Sequence, residues 1–342
     1  MHAAERYRRA GVDIAAGDSI SKRALAAAAK THFGLAMHGA KMLKCAGGFA
    51  AAVQLQKPDI VLLAAADGVG TKVELAREND AAEVIGNDVV AMCVNDILCA
   101  GGYPLLFLDY YAGGKLRPAF AARVMDGIAA ACVEAGCALV GGETAEMPGV
   151  YEGDKIDVAG FAIGIASKES LFDAAAITPG DRIIALPSAG AHSNGYALIN
   201  RILQNLDDKT MRAQLLHPTK LYCAVIRKLR AEVQVKALAH ITGGGVAGNI
   251  ARLVPPKMRA VVEADSFARP AVFDFLRAAG DIGESEMWNV FNCGIGMAVF
   301  VSPENEKRAL QTLHTNGEAA WTLGYADAMP RGGEKNVLIK GI

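Results

Sequence analysis

The sequence predicts an α/β (α+β) chain built of two domains. Apolar β-type runs at residues 60–66, 105–111, 138–140 and 158–165 alternate with helical-period segments at 88–98 and 120–135. A second series of the same kind follows, and a turn-rich stretch separates the two. The length of 342 residues, 52% of them hydrophobic, suits two cores at roughly 150 residues per domain.

The first series makes one α/β half, residues 1–168. Its last apolar run gives way to Lys168-Glu169-Ser170 and then to the turn sequence Pro179-Gly180-Asp181, where the chain changes direction and few contacts need cross. In the second half, residues 169–342, strands are expected at 182–186, 237–241, 260–263, 296–301 and 321–325, with helices near 196–204, 221–230 and 304–313. The Ala-rich residues 24–29 read as helix-forming sequence. Neither half contains a short repeat or a low-complexity tract.

Thirty-five basic and 36 acidic residues leave a formal net charge of -1. That balance supplies no global field to attract nucleic acid or an anionic membrane, so any recognition of phosphate has to be local. No apolar run approaches the ~18 residues of a membrane helix, and the polar, Arg-rich start from Met1 to Arg9 has no signal-like apolar stretch behind it. The expected location is cytoplasmic. Seven cysteines (Cys45, Cys93, Cys99, Cys132, Cys137, Cys223, Cys293) include no C-x-x-C pair and lie mostly in apolar segments. The pattern argues for packed thiols rather than a disulfide framework or a zinc site, with Cys45 set apart by the nearby Gly47-Gly48.

Asp67-Gly68-Val69-Gly70-Thr71-Lys72 follows a strand directly. The acid then sits at the strand's carboxyl end, the glycines let backbone approach a ligand, and a lysine opens the next helix, as a phosphate and metal corner requires. Walker A spacing is absent, and the same residues also suit an ordinary tight turn. In the helical segment 86–98, Asp88 and Asn95 share a face with Ala91 and Met92, so polar groups point where a core belongs. Asp96 buried unpaired there would cost several kcal/mol, and it has to meet a cation, a basic side chain or a set of donors. Two carboxylates from separate elements, Asp67 and Asp96, suit Mg²⁺, which completes its shell with water and phosphate oxygens. Gly141-Gly142-Glu143 is expected to end a strand and to offer Glu143 to the same cavity, while Glu146 reads as a loop or capping acid.

In the second half, His192-Ser193-Asn194-Gly195 lies between a strand and a helix. Backbone N–H groups at the helix start can hold a phosphate or carboxylate there, and Ser193 or Asn194 equally suits a plain N-cap. His240-Ile241-Thr242-Gly243-Gly244-Gly245 runs a strand into three glycines before a helical pattern from Val246. Such a run is tolerated where bulk must be absent, as around a phosphate. His240, bordering this loop, is the candidate for proton transfer, although strand histidines commonly serve packing. Trp288 and Phe291 are expected to pack against the second domain.

Taken together, these motifs resemble the phosphoribosylformylglycinamidine cyclo-ligase (aminoimidazole ribonucleotide synthetase) family. DGVGTK, VAMCVND, PLLFLDYYA, GGETAEMPGVY, DVAGF, HSNGY, HITGGG and FNCGIGM stand in family order, and the match runs from Tyr7 almost to the C-terminus. The resemblance implies two AIR-synthetase-like domains and a homodimer in which the N-terminal mixed sheets close a barrel across the two subunits. It implies ATP-dependent ring closure of formylglycinamidine ribonucleotide in purine biosynthesis, a C–N ligation with Mg²⁺ as cofactor. Its ligands would be ATP and a phosphorylated small molecule, with no nucleic acid and no membrane. Carried over by position, Asp67, Asp96 and Glu143 resemble metal ligands, and Lys72 would stabilise phosphoryl charge. Gly47, Gly48, Gly68, Gly70, Thr71, Asn95, His192, Ser193, Asn194, Thr242, Gly243, Gly244 and Gly245 resemble contacts to ATP or substrate.

Two departures stand out. The family's Leu-Gly-Gly-Phe-Gly is replaced by Lys44-Cys45-Ala46-Gly47-Gly48-Phe49-Ala50, which predicts a stiffer or displaced nucleotide loop, and an acid usual before Pro-Leu is replaced by Tyr103. Two other readings compete. One is a related ATP-dependent synthase or kinase, such as selenophosphate synthetase or thiamine-phosphate kinase, for which Cys45 is the hook. The other is a catalytically weak nucleotide-binding homologue, against which the retained Asp67, Asp96 and Glu143 count.

Overall fold

A computed structural model describes residues 23, 26–32, 35, 39–44, 46–56, 60–204, 206, 208–330 and 336–342. The expectations made for Tyr7 and Cys45 lie outside the described residues.

The chain folds into two α/β domains, each around a six-stranded mixed sheet. In the first half, β1 (Lys41–Leu43), β2 (Ala51–Gln54), β3 (Val61–Gly68), β4 (Tyr103–Gly113), β5 (Ala138–Glu146) and β6 (Ile156–Ala166) lie in the order β1-β2-β3-β6-β4-β5. Neighbours are antiparallel except β4 and β5. Helices α1 (Lys72–Glu78), α2 (Ala82–Cys99) and α3 (Pro118–Ala135) complete this half, α3 providing the crossover that a parallel β4–β5 pair requires. The β6 residues alternate between buried and exposed sides, the mark of a sheet with one covered face.

The strand expected at 138–140 runs on to Glu146, so Gly141-Gly142 does not end it. The physical reason lies in β4: a Cβ at Gly142 would stand 2.2 Å from Asp109 Oδ1. Glycine here makes room for a neighbouring carboxylate rather than flexibility for a loop. Glu146, expected in a loop or as a cap, is instead the last residue of β5 and accepts the N–H of Leu116, just ahead of the N-cap of α3, at 2.9 Å.

In the second half, β7 (Arg182–Pro187), β8 (Val235–His240), β9 (Met258–Glu263), β10 (Ile295–Val301), β11 (Trp321–Ala328) and β12 (Val337–Lys340) lie in the order β12-β9-β11-β7-β10-β8. Among these described strands, only β12 and β9 pair in parallel. Around them fold α4 (Tyr196–Leu203), α5 (Lys209–Leu215), α6 (Cys223–Glu232), α7 (Gly245–Ala251), α8 (Ala271–Ala279), α9 (Glu284–Val290) and α10 (Glu306–Thr315). Every residue of β10 is buried, which is why it reads as an unbroken apolar run rather than an alternating one. Among the described residues, neither sheet closes on itself within one chain. Among the described residues, no helix is long and apolar enough to cross a membrane.

α2 joins the halves. It packs on β3 and β6 and also touches β8 of the second domain. Fourteen of its 18 residues are buried, so it is apolar on nearly every side, as a helix enclosed by two layers must be.

Candidate functional site

Four polar residues of α2, Asn87, Asp88, Asn95 and Asp96, find partners at the domain junction. Asp88, fully buried, accepts the Thr219 N–H at 2.6 Å and pairs with Lys72 Nζ at 2.7 Å. Asn87 donates to the Thr219 carbonyl at 2.7 Å. About two turns further along, Asn95 donates to the Lys220 carbonyl at 2.9 Å and accepts the Tyr222 N–H at 3.2 Å. The face that looked misplaced in an apolar helix is the surface onto which residues 219–222 dock.

Asp96 meets His240 Nδ1 at 2.9 Å, from the last residue of β8. Asn95 Nδ2 lies 3.4 Å from the other ring nitrogen. Because Asn95 already accepts through its oxygen, its amide nitrogen faces His240 Nε2 as a donor. The ring proton therefore sits on Nδ1 and is donated to Asp96. His240 is fully buried with both nitrogens engaged, so its place is beneath Asp96, orienting the carboxylate.

Asp67 ends β3 beside this pair, and its carboxyl accepts the Gly68 N–H at 2.8 Å. The Cys93 thiol reaches the Asp67 carbonyl at 3.9 Å, which seats α2 against the strand end. Burial, reinforced by the facing charge of Asp96, pushes the Asp67 carboxyl up to about 6. Two carboxylates that repel one another fit a divalent cation, and Mg²⁺ needs only one or two of them. Among the described residues, no group of three or more His, Cys, Asp or Glu forms a metal cage.

The raised Asp67 pKa sets a pH dependence. The unfolded chain ionises near 3.8 and the folded one near 6, so this group's contribution to stability is present below the window and is lost as pH rises through it. In chelator, wild-type protein is expected to lose more melting temperature between about pH 4 and 6 than Asp67→Asn, with Mg²⁺ narrowing the gap. Equal slopes for the two proteins would remove Asp67 from this pair.

Glu143 is not brought to the pair. In the registers, Asp67 lies opposite Gly160, Gly160 opposite Asp109, and Asp109 opposite Gly142. That puts the strand of Glu143 three spacings away, roughly 14 Å within one chain, and Glu143 is exposed on the sheet edge. Lys72 also lies apart. It is fully buried, bound to Asp88 and donating to the His217 carbonyl at 2.7 Å. Burial lowers its pKa, with Asp88 pulling in the opposite direction. Its ammonium ties the halves together and does not face an open site.

The glycine loops gather round the acids. Gly68 and Gly70 follow Asp67, and exposed Thr71 accepts the Asn200 amide through its carbonyl at 2.9 Å. Thr242, Gly243, Gly244 and Gly245 form the turn into α7, held from within by Asn249, whose amide donates to the carbonyls of residues 242, 243 and 245. A Cβ at Gly245 would stand 2.4 Å from the Trp288 carbonyl. Asn194 approaches this turn, its Oδ1 lying 3.7 Å from the Cβ position of Gly243, while Ser193 shares a hydrogen bond of 3.1 Å with Thr219. Neither caps α4, whose N-cap is Gly195.

His192 sits deeper than a substrate contact would. It is fully buried in a left-handed conformation at φ 58°, and its Nε2 accepts the N–H groups of Ala189 at 3.2 Å and Lys220 at 3.5 Å. Burial, then the charges of His240, Lys72 and Lys220, holds its pKa well below the usual histidine range, so the ring is neutral.

Gly47 and Gly48 are tied across the junction by Arg252, which donates to their carbonyls at 2.7 and 2.9 Å and stacks on Phe49 at 3.8 Å. Sequence reasoning did not single out Arg252. Its position in the turn after the Gly-rich helix was the available signal. Asn292 was similarly underused: it donates to the Gly190 carbonyl at 2.8 Å and accepts the Gly294 N–H at 2.9 Å, bracing the 188–195 loop.

Tyr103 stands away from these groups, between Arg227 and Arg230 at 4.9 and 5.4 Å. Arg230 also donates to the carbonyls of Gly101 and Ser170. An acid at this position would pair with the same cations, so Tyr103→Glu is expected to keep kcat within about twofold of wild type, with little change in stability for a partly exposed pair. A tenfold fall in ADP release would place position 103 in the site.

The AIR synthase related protein N-terminal domain matches residues 47–166, and the C-terminal domain of the same name matches residues 178–335. Among solved structures, the hydrogenase maturation protein HypE in complex with ATP is similar at a TM-score of 0.64 and 20% identity, covering 85% of this chain and 84% of that one. Thiamine-monophosphate kinase from Stenotrophomonas maltophilia K279a has a TM-score of 0.64 at 17% identity, over 85% and 89% of the two chains. AaThiL complexed with AMPPCP and TMP has 0.62 at 16%, over 88% and 89%. Identities this low show a shared fold. The two domain matches span most of the chain, with an Asp at the end of β3 and a Gly-rich turn after β8 in their respective halves, and the chain belongs to the AIR synthase related protein family.

Proposed function

We propose that the chain is a phosphoribosylformylglycinamidine cyclo-ligase acting with Mg-ATP, its ATP half being residues 1–168 and its substrate half 169–342. The observation that carries an ATP-dependent activity is the Asp67–Asp96 pair, set at the domain junction between two glycine loops. The acceptor is inferred from the ordered run of motifs through HSNGY, HITGGG and FNCGIGM.

In this reading the γ-phosphoryl group passes to the formyl-derived amide oxygen. The amidine nitrogen then attacks the iminophosphate carbon, and phosphate leaves. Mg²⁺ held by Asp67 and Asp96 would neutralise charge on the phosphate oxygens. The chain's own share is positioning: His240 aims Asp96, Asn95 fixes the His240 tautomer, and the backbone N–H groups of Gly70, Gly243 and Gly244 are available to phosphate, whereas those of Gly68, Val69 and Gly245 are bonded within the chain. Lys72 acts here as a positioning residue through Asp88.

A homodimer belongs to the same proposal. Leu105, Leu108, Phe161 and Ile165 leave an apolar area exposed on the first sheet, Phe161 at 44%, and a second copy would cover it. A cytoplasmic location is proposed with it. A kinase for another phosphorylated acceptor is the second reading, favoured by the nucleotide and TMP in the AaThiL complex.

The deciding experiment supplies Mg-ATP and formylglycinamidine ribonucleotide, and measures ADP with aminoimidazole ribonucleotide. Matched formation of both is expected. ADP release independent of that substrate would favour the kinase, and ATP binding without products would overturn both enzyme readings.

A further inference from the structure

The turn that closes α3 brings two thiols together. Gly136, left-handed at φ 76°, donates its N–H to the Val133 carbonyl at 3.2 Å, and Cys137 donates its N–H to the Cys132 carbonyl at 3.0 Å. Helix closures of this kind bring the side chains at their two ends into contact, a place usually filled by apolar residues. Here both are cysteines. Their direct main-chain hydrogen bond keeps the α-carbons within the ~4.4–6.8 Å window that a disulfide accepts.

The two thiols differ in access and acidity. Cys132 is buried and Cys137 is partly exposed. Electrostatic interaction between the two neighbouring thiols lowers the pKa of Cys137 and raises that of Cys132. The more reactive thiolate is therefore on the more accessible residue. Cys223, at the start of α6, is near enough for its ionisation to sense Cys137. It is buried in the other domain, and no main-chain bond to Cys137 fixes its distance.

We propose that Cys137 is an oxidation site for hydrogen peroxide, and that it closes a disulfide with Cys132. The Cys137 thiolate attacks one peroxide oxygen, the O–O bond breaks, and hydroxide leaves and takes up a proton as water. The Cys132 sulfur then attacks the resulting sulfenic sulfur. The S–O bond breaks, the S–S bond forms, and a second water departs with the Cys132 proton. Two thiols and one peroxide yield one disulfide and two waters. The bridge staples the end of α3 to the residue before β5, which begins at Ala138.

Full-length protein treated with a small excess of hydrogen peroxide, alkylated and digested with trypsin tests this. Residues 124–155 form one tryptic peptide between Arg123 and Lys155. The expected product is that peptide lighter by two hydrogens and unalkylated at both cysteines. In Cys132→Ser, the sulfenic acid is expected to persist on Cys137 and to be trapped by dimedone. Wild-type mapping needs no variant to fold. A fully alkylated peptide after treatment, or a Cys137 link to Cys223 or to a second chain, overturns the proposal.

Discussion

Replacing Asp96 with Asn is expected to lower kcat for Mg-ATP-dependent turnover by about 10²-fold or more. The variant is specific because an amide oxygen at position 96 still accepts the His240 Nδ1–H, now at 2.9 Å. The orienting hydrogen bond survives and the negative charge does not. Asp67, relieved of its facing charge, should ionise more readily, yet one carboxylate anchors the cation less well than two. The comparison is ADP release at saturating ATP, with an unchanged urea midpoint as the control for folding. Turnover within about threefold of wild type would take Asp96 out of the cation pair.

The largest loss of stability is expected from Lys72→Met. Asp88 would be left fully buried with its charge unpaired, which costs about 3–5 kcal/mol in comparable sites. The double variant Lys72→Met with Asp88→Asn removes both charges. Its amide oxygen can still accept the Thr219 N–H that Asp88 now holds at 2.6 Å, so much of the loss should return. Urea denaturation of the wild type, the single variant and the double variant reads this directly. A single variant within about 1 kcal/mol of wild type would mean that the ion pair contributes little.

Both domains were legible because their strands are strongly patterned. The runs at 158–165 and 296–301 appear as β6 and β10 with ends displaced by one or two residues. Short elements escaped notice: β1, β2 and β12 have three or four residues each, too few to establish a period. Asp96 was legible as a buried acid in need of a partner, and it has one in His240. The identity of Lys72's partner was not legible, because Asp88 lies on another helix and only tertiary packing brings the two together. Glu143 misled for a related reason. Glycines before an acid look like a loop in one dimension, whereas pairing with β4 extends the strand through them. His240 and His192 were read from the loops they border, but burial depends on what stacks above those loops, namely α2 and residues 219–222.

The enclosure of α2 constrains how the protein can open. A hinge that swung the halves apart would pull residues 219–222 from Asp88 and Asn95 and strip Lys72 from the His217 carbonyl. The bonds of Asp88 and Asn95 share one helix, and the Lys72–Asp88 ion pair ties the His217 contact to it, so they would have to fail together rather than in sequence. Ligand entry is then a matter for the glycine turns and the 188–195 loop, while heat should melt the two halves as a single cooperative unit.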